Sequence, residues 1–136
     1  MDDALNRAKN LLHTGGYTCV LIKEERTVCC NERGVEPLLA LLQDGQSYRG
    51  FVAADRIVGR AAAFLYVLLG ASSVYADVVS EGGAEVLARY GISLSFGVTS
   101  PYIVNRKGSG PCPMDVAVSG IEEPEAAYRA ILAAKG

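Results

Sequence analysis

The sequence predicts an α/β domain of three layers, a mixed β-sheet with helices on both faces. Three observations lead there. Two short strand-like runs, Tyr17–Ile22 and Thr27–Cys30, stand close together across the polar Lys23-Glu24-Glu25-Arg26 and read as a hairpin. Further on, strand patterns alternate with helical ones, the signature of βαβ connections. Finally, the run from Arg60 to Leu69 is apolar on every side and has no face to offer water, so it must be a buried central helix.

Taken in order, Leu5, Ala8, Leu11 and Leu12 share one helical face, and Gly15-Gly16 stops that helix. After the hairpin, Gly34 breaks the chain, and Val35–Leu42 carries a leucine-rich helical pattern ended by Asp44-Gly45. Residues 46–52 read as a loop. Ala53–Leu69 reads as helix, with Gly59 as a point of division and Gly70 as its stop. Ser73–Val79 reads as a buried strand. Ser80 is a suitable N-cap, Glu81 suits a first helical turn, and Val86, Leu87 and Tyr90 supply the inner face before Gly91. Ile92, Leu94 and Phe96 alternate with small residues in a half-buried strand. A glycine- and proline-rich stretch follows. Pro113 starts a short helix and Glu123-Pro124 the last one, with Tyr128, Ile131 and Leu132 inward. No repeat or linker divides the chain, so residues 1–136 form a single domain.

Composition bounds the function classes. Half of the residues are apolar and 21% are charged, which excludes wholesale disorder. The net charge of −2 supplies no general attraction for nucleic acid or an anionic membrane, so neither is expected as a partner. Charged residues interrupt positions 2–14, leaving no signal-peptide core. The longest apolar run, Ala61–Leu69, is far short of the ~20 residues of a membrane span. The expected setting is the cytoplasm. The cysteines at 19, 29, 30 and 112 form neither a disulfide framework nor a zinc spacing, and Cys19 reads as a buried thiol in a strand.

Several blocks of residues carry a resemblance. Val74-Tyr75-Ala76-Asp77-Val78-Val79-Ser80-Glu81 stands where proteins of the cytidine-deaminase-like fold carry a strand running into Pro-Cys, and Gly82–Ile92 resembles their following helix. The whole chain resembles the uncharacterised domain-of-unknown-function family 1893. The matching residues are Gly16–Leu21, Glu32–Val35, Ala53–Leu65, Val74–Ala76, Asn105-Arg106 and Cys112–Asp115. The resemblance implies a cytidine-deaminase-like fold and no particular reaction. Zinc deaminases place His or Cys beside a catalytic Glu at one helix start and two Cys at the next. Here those places hold Gly59-Arg60-Ala61 and Glu81 and Ala84, so no metal, cofactor or zinc chemistry is expected. The single histidine, His13, reads as a surface residue near the end of the first helix.

Three clusters are candidates for function. In the first, Asn105, Arg106, Lys107, Gly108 and Gly110 lead into Cys112 at an N-cap and Asp115 at N3. Two cations, glycines that expose backbone amides and a helix start together favour an anion. The same helix start favours a reactive Cys112 thiolate, which the charge of Asp115 opposes. The second cluster is Asp55 and Arg60 at the start of the central helix, either as an ion pair or as ligand contacts. The third is Ser80 and Glu81, whose following glycines indicate something packed close to the backbone. The leading expectation is a zinc-free domain binding a small anionic or nucleotide-like ligand, held by Arg106 and the amides of 108–112 near Gly59, Arg60 and Ser80. The alternatives are an enzyme using Cys112 as catalytic nucleophile and a homo-oligomeric interaction module.

Overall fold

A computed structural model describes residues 3–136. The chain runs α1 (Asp3–Gly15), β1 (Cys19–Lys23), β2 (Arg26–Cys30), α2 (Glu36–Gln43), β3 (Val52–Val58), α3 (Arg60–Leu69), β4 (Ser73–Ser80), α4 (Glu81–Arg89), β5 (Ser93–Ser100), α5 (Pro113–Ala117) and α6 (Pro124–Lys135). The five strands lie in the order β2-β1-β3-β4-β5. β1 pairs antiparallel with β2 and β3, whereas β3, β4 and β5 run parallel. This is the mixed sheet that the hairpin and the strand–helix alternation predict.

One helix covers one face. Ala8 and Leu12 of α1 are fully buried against Val20, Ile22, Val52, Ala54 and Tyr75. The larger core lies on the other face, where α3 is enclosed from Ala61 to Tyr66 and again at Leu69. It packs with α2, α4 and α6, and Ile131 of α6 is fully buried. The central helix is therefore buried as its sequence requires. Tyr90 and Phe96 are more exposed than their patterns predict, at 37% and 47%. The Tyr90 hydroxyl donates to the Glu122 carbonyl instead of entering the core. Phe96 stands on β5, a strand paired on one edge only.

One element departs from the sequence reading. Residues 53–58 are strand, and only the part of Ala53–Leu69 from Arg60 onward is helix. The helix propensity of Ala53 and Ala54 exceeds that of other ordinary residues by at most roughly 0.7 kcal/mol each. Tertiary pairing outweighs it, because β3 has a hydrogen-bonded neighbour on each side. Asp55 is registered with Cys19 of β1 and with Ala76 of β4. The small alanine side chains also let helices approach both faces of the sheet. Gly59 separates strand from helix, with extended backbone at the N-cap of α3.

Candidate functional site

A cleft of about 800 Å³ opens where β3 ends and α3 begins. Its walls come from the start of β1 (Thr18, Cys19), the entry to α2 (Arg33–Pro37), the end of β3 (Asp55–Ile57), Gly59 and Ala62, and the segment Ile103–Asp115. Because β1 runs antiparallel to β3, its first residues meet the carboxyl end of β3, and distant parts of the sequence converge there. The volume suits a small organic ligand.

The segment before α5 builds one wall. Val104 bridges Pro111, the Asn105 amide donates to the Gly110 carbonyl at 2.8 Å, and the Cys112 amide donates to the Ile103 carbonyl at 2.8 Å. The Gly108 amide donates to the Asn105 carbonyl at 3.0 Å, and the Ser109 amide to Asn105 Oδ1 at 3.1 Å. Gly108 has φ +71°, a conformation glycine adopts at little cost. Most of the amides expected to cradle an anion are therefore already bonded within the loop. The amides of 108, 109 and 112 are used to close the turn, and Pro111 has none. Gly108 and Gly110 shape the loop and do not line the cleft. Asn105, Arg106, Lys107 and Cys112 do line it.

Cys112 is the N-cap of α5 and Pro113 its first residue, but no side chain caps that helix. Asp115 instead reaches across to another helix. Its Oδ1 accepts the Ala61 amide at 2.9 Å, so it caps α3, whose own N-cap is Gly59. Any Cβ on Gly59 would overlap Asp115 Oδ2, so the residue at the strand–helix junction has to be glycine for the carboxylate to approach. Burial raises the Asp115 pKa, against the opposing pull of the Ala61 and Arg60 amides and the Arg60 charge.

Asp55 forms no pair with Arg60 or Arg56. Its Oδ2 accepts the Tyr66 hydroxyl at 2.6 Å, and its Oδ1 accepts the Ile57 amide at 3.3 Å. Burial lifts its pKa to about 6. Side-chain direction explains the missing pair. Arg56 serves the α1 face, donating to the Tyr17 and Leu12 carbonyls and pairing with Asp77, which also bonds His13 and Tyr75. Arg60 points toward the α5–α6 connection. It donates to the Val118 and Ile121 carbonyls, pairs with Glu85 and Glu122, and lies over the Phe64 ring. It is a structural clamp outside the cleft.

Ser80 and Glu81 also stand outside the cleft. The Ser80 side chain accepts the Gly83 amide at 2.9 Å, a self-contained N-cap, and Glu81 is exposed in the first turn of α4. The close neighbour that the two glycines indicate is the β3–α3 junction. A Cβ on Gly83 would stand 2.9 Å from the Val58 carbonyl and 3.0 Å from that of Gly59. The structure thus brings Asn105, Arg106, Lys107, Cys112, Asp115 and Asp55 to one cleft. It leaves Arg60, Ser80, Glu81, Gly108 and Gly110 out of its lining.

The sequence-based clusters omitted Arg33, Cys19 and Glu36, all in the lining. Only the resemblance blocks Gly16–Leu21 and Glu32–Val35 touch two of them. Glu36 pairs with Lys135 at 3.2 Å. Arg33, Arg106 and Lys107 make no ion pair among the described residues. The walls between these charges are largely apolar, with Val35, Ile57, Ile103 and Met114 among them.

No helix among the described residues is long and apolar enough to cross a membrane. No curated protein matches the chain. The crystal structure of a DUF1893 family protein from Thermotoga maritima is similar over 98% of this chain and 91% of that one. The TM-score is 0.88 at 22% identity, a likeness of fold. The model of the domain of unknown function DUF1893 matches residues 7–133, and the chain belongs to that family.

Proposed function

We propose that the chain binds a small anionic molecule of nucleotide size in this cleft. One observation carries the reading: the cleft has three cations without ion pairs, Arg33, Arg106 and Lys107, while every carboxylate in its lining is already engaged. Asp55 holds Tyr66, Asp115 holds the start of α3, and Glu36 holds Lys135. An anion would supply the missing countercharge. The apolar walls would take a ring, and Asp55, with a pKa near 6, can accept a hydrogen bond from a ring N–H or, when protonated, donate one. The resemblance to the deaminase-like scaffold supports a nucleotide-like ring.

The covalent alternative at Cys112 has no histidine beside it. His13 is the only histidine, and it stands on the α1 face bonded to Asp77. Binding without chemistry is therefore the reading we adopt.

Calorimetric titration with AMP and UMP, alongside adenosine, uridine and inorganic phosphate, tests it. The nucleotides should bind more tightly than the nucleosides, and the affinity should fall as salt screens the cations. Arg106→Ala and Arg33→Ala should each weaken binding by roughly tenfold, the loss of about one charge-assisted hydrogen bond. Saturation that ignores both substitutions, or none with any of these compounds, would overturn the proposal.

A further inference from the structure

We propose that Cys19 and Cys30 are a peroxide-oxidisable dithiol that closes to a cross-strand disulfide beside the cleft. This does not rest on the ligand reading. The four cysteines differ sharply in setting. Cys29 is exposed, Cys112 lines the cleft, and Cys19 and Cys30 are 1% and 7% exposed on the inner face of the hairpin. Cys19 and Cys30 are registered directly opposite each other on β1 and β2. Opposed residues of an antiparallel pair have Cα atoms ~4.5–5.5 Å apart. A disulfide spans ~4.4–6.8 Å between Cα atoms, a range that includes this separation. Cys19 also lines the cleft, which gives small solutes a route to the pair.

The surroundings give the two thiols different roles. They are close enough that each perturbs the other's proton. The Cys19 thiol lowers the pKa of Cys30. Its own pKa is raised by Cys30, by burial and by the Asp55 charge. Asp55 is registered opposite Cys19 and not Cys30, so its charge opposes a thiolate at Cys19 more, and Cys30 is the thiolate that attacks. It takes one oxygen of hydrogen peroxide, the O–O bond breaks, and the departing hydroxide gains a proton to become water, leaving Cys30 as a sulfenic acid. Cys19 sulfur then attacks Cys30 sulfur and the S–O bond breaks. Asp55, registered opposite Cys19 on β3 and ionised above a pKa of about 6, is placed to pass the Cys19 proton to the second hydroxide. Two thiols and one peroxide give one disulfide and two waters. The sulfurs lose the two electrons that the peroxide gains. Burial selects the oxidant by size: peroxide is barely larger than water, whereas glutathione disulfide meets the exposed Cys29 first.

The experiment uses the full chain carrying Cys29→Ser and Cys112→Ser, which retains only the pair. After hydrogen peroxide treatment under native conditions, remaining thiols are alkylated and the intact mass and tryptic peptides are read. Both thiols should become unalkylatable together with the loss of two hydrogen masses. Residues 10–23 should be joined to residues 27–33, and dithiothreitol should reverse the change. In the same background, Cys19→Ser should let Cys30 gain oxygen instead, since nothing resolves its sulfenic acid. Two thiols that stay alkylatable, or that gain oxygen one by one without linking, would overturn the proposal. That readout stands even if Cys19→Ser does not fold.

Discussion

The starts of α3 and α4 hold equivalent places, each following a parallel strand on the same side of the sheet, yet they are capped in opposite ways. α4 caps itself: Ser80 accepts the Gly83 amide three residues on. α3 has glycine at its N-cap, and its Ala61 amide is satisfied by Asp115, brought from 54 residues later in the chain. A self-capped start closes its local accounts and can be buried, as Ser80 is. The start of α3 is buried too, but its cap comes from outside and brings a second segment of the chain beside it. The cleft lies at the start of α3 and not of α4, and one of its walls is the segment that ends in the capping Asp115.

The strands that lead into the two helices respond to pH in opposite ways. Asp55, four residues before Gly59, has a folded pKa of about 6 against an ordinary value of 3.8. A carboxyl raised in this way binds its proton more tightly when folded. Its contribution is fully present below about pH 4 and is lost as the pH rises through about 6. A shift of ~2 pKa units corresponds to about 3 kcal/mol. Asp115 is shifted in the same direction. Asp77, on the α1 face, acts the other way. Burial pushes its pKa up, but His13, Tyr75 and Arg56 hold it below the ordinary value, so its share is lost as the pH falls. Urea midpoints of the wild type and Asp55→Asn between pH 4 and pH 7 should diverge, with a more favourable trend toward neutral pH in the variant. Parallel profiles would show that Asp55 is not the titrating group.

Smaller effects follow from the caps themselves. Asp115→Ala should cost about 2–3 kcal/mol, the range for a hydrogen bond to a charged group. It should also speed hydrogen exchange at the Ala61 amide, and Asp115→Asn should recover most of the loss. Gly83→Ala should cost roughly 1–3 kcal/mol, because its methyl meets backbone of the β3–α3 junction. Gly82→Ala, which meets only Arg60 side-chain atoms at 3.6 Å or beyond, should instead gain up to about 1 kcal/mol. Equal denaturation midpoints for the two glycine variants would contradict the close approach. Ser80→Ala should cost about 1 kcal/mol and leave ligand titrations unchanged. If it matched Asp115→Ala in both respects, the contrast between the two starts would collapse. The smallest effect is expected for Arg106→Ala, below about 0.5 kcal/mol in stability, as for other exposed side chains without a structural partner.

Local chemistry was legible without coordinates wherever a signal and its effect lie within a few residues. Ser80 before a helical pattern, Gly70 after one, the hairpin runs and the all-apolar Ala61–Leu69 each specify their own conformation through caps, turns and burial. The loop from Asn105 to Asp115 could be nominated for the same reason, since its cations, glycines and helix start are contiguous. What tertiary structure alone decided was every choice made by a partner far along the chain. Ala53–Val58 became strand because β1 and β4 flank it, a pairing that outweighs alanine's small helical preference. Asp55 bonds Tyr66 and not an arginine, because Arg56 points to the opposite face of the sheet and Arg60 is held by the Val118 and Ile121 carbonyls. The amides of 108, 109 and 112 were taken up by the loop itself, and Asp115 went to α3. A hydrogen bond or ion pair depends on direction and distance, and sequence supplies neither until the fold has brought the partners together.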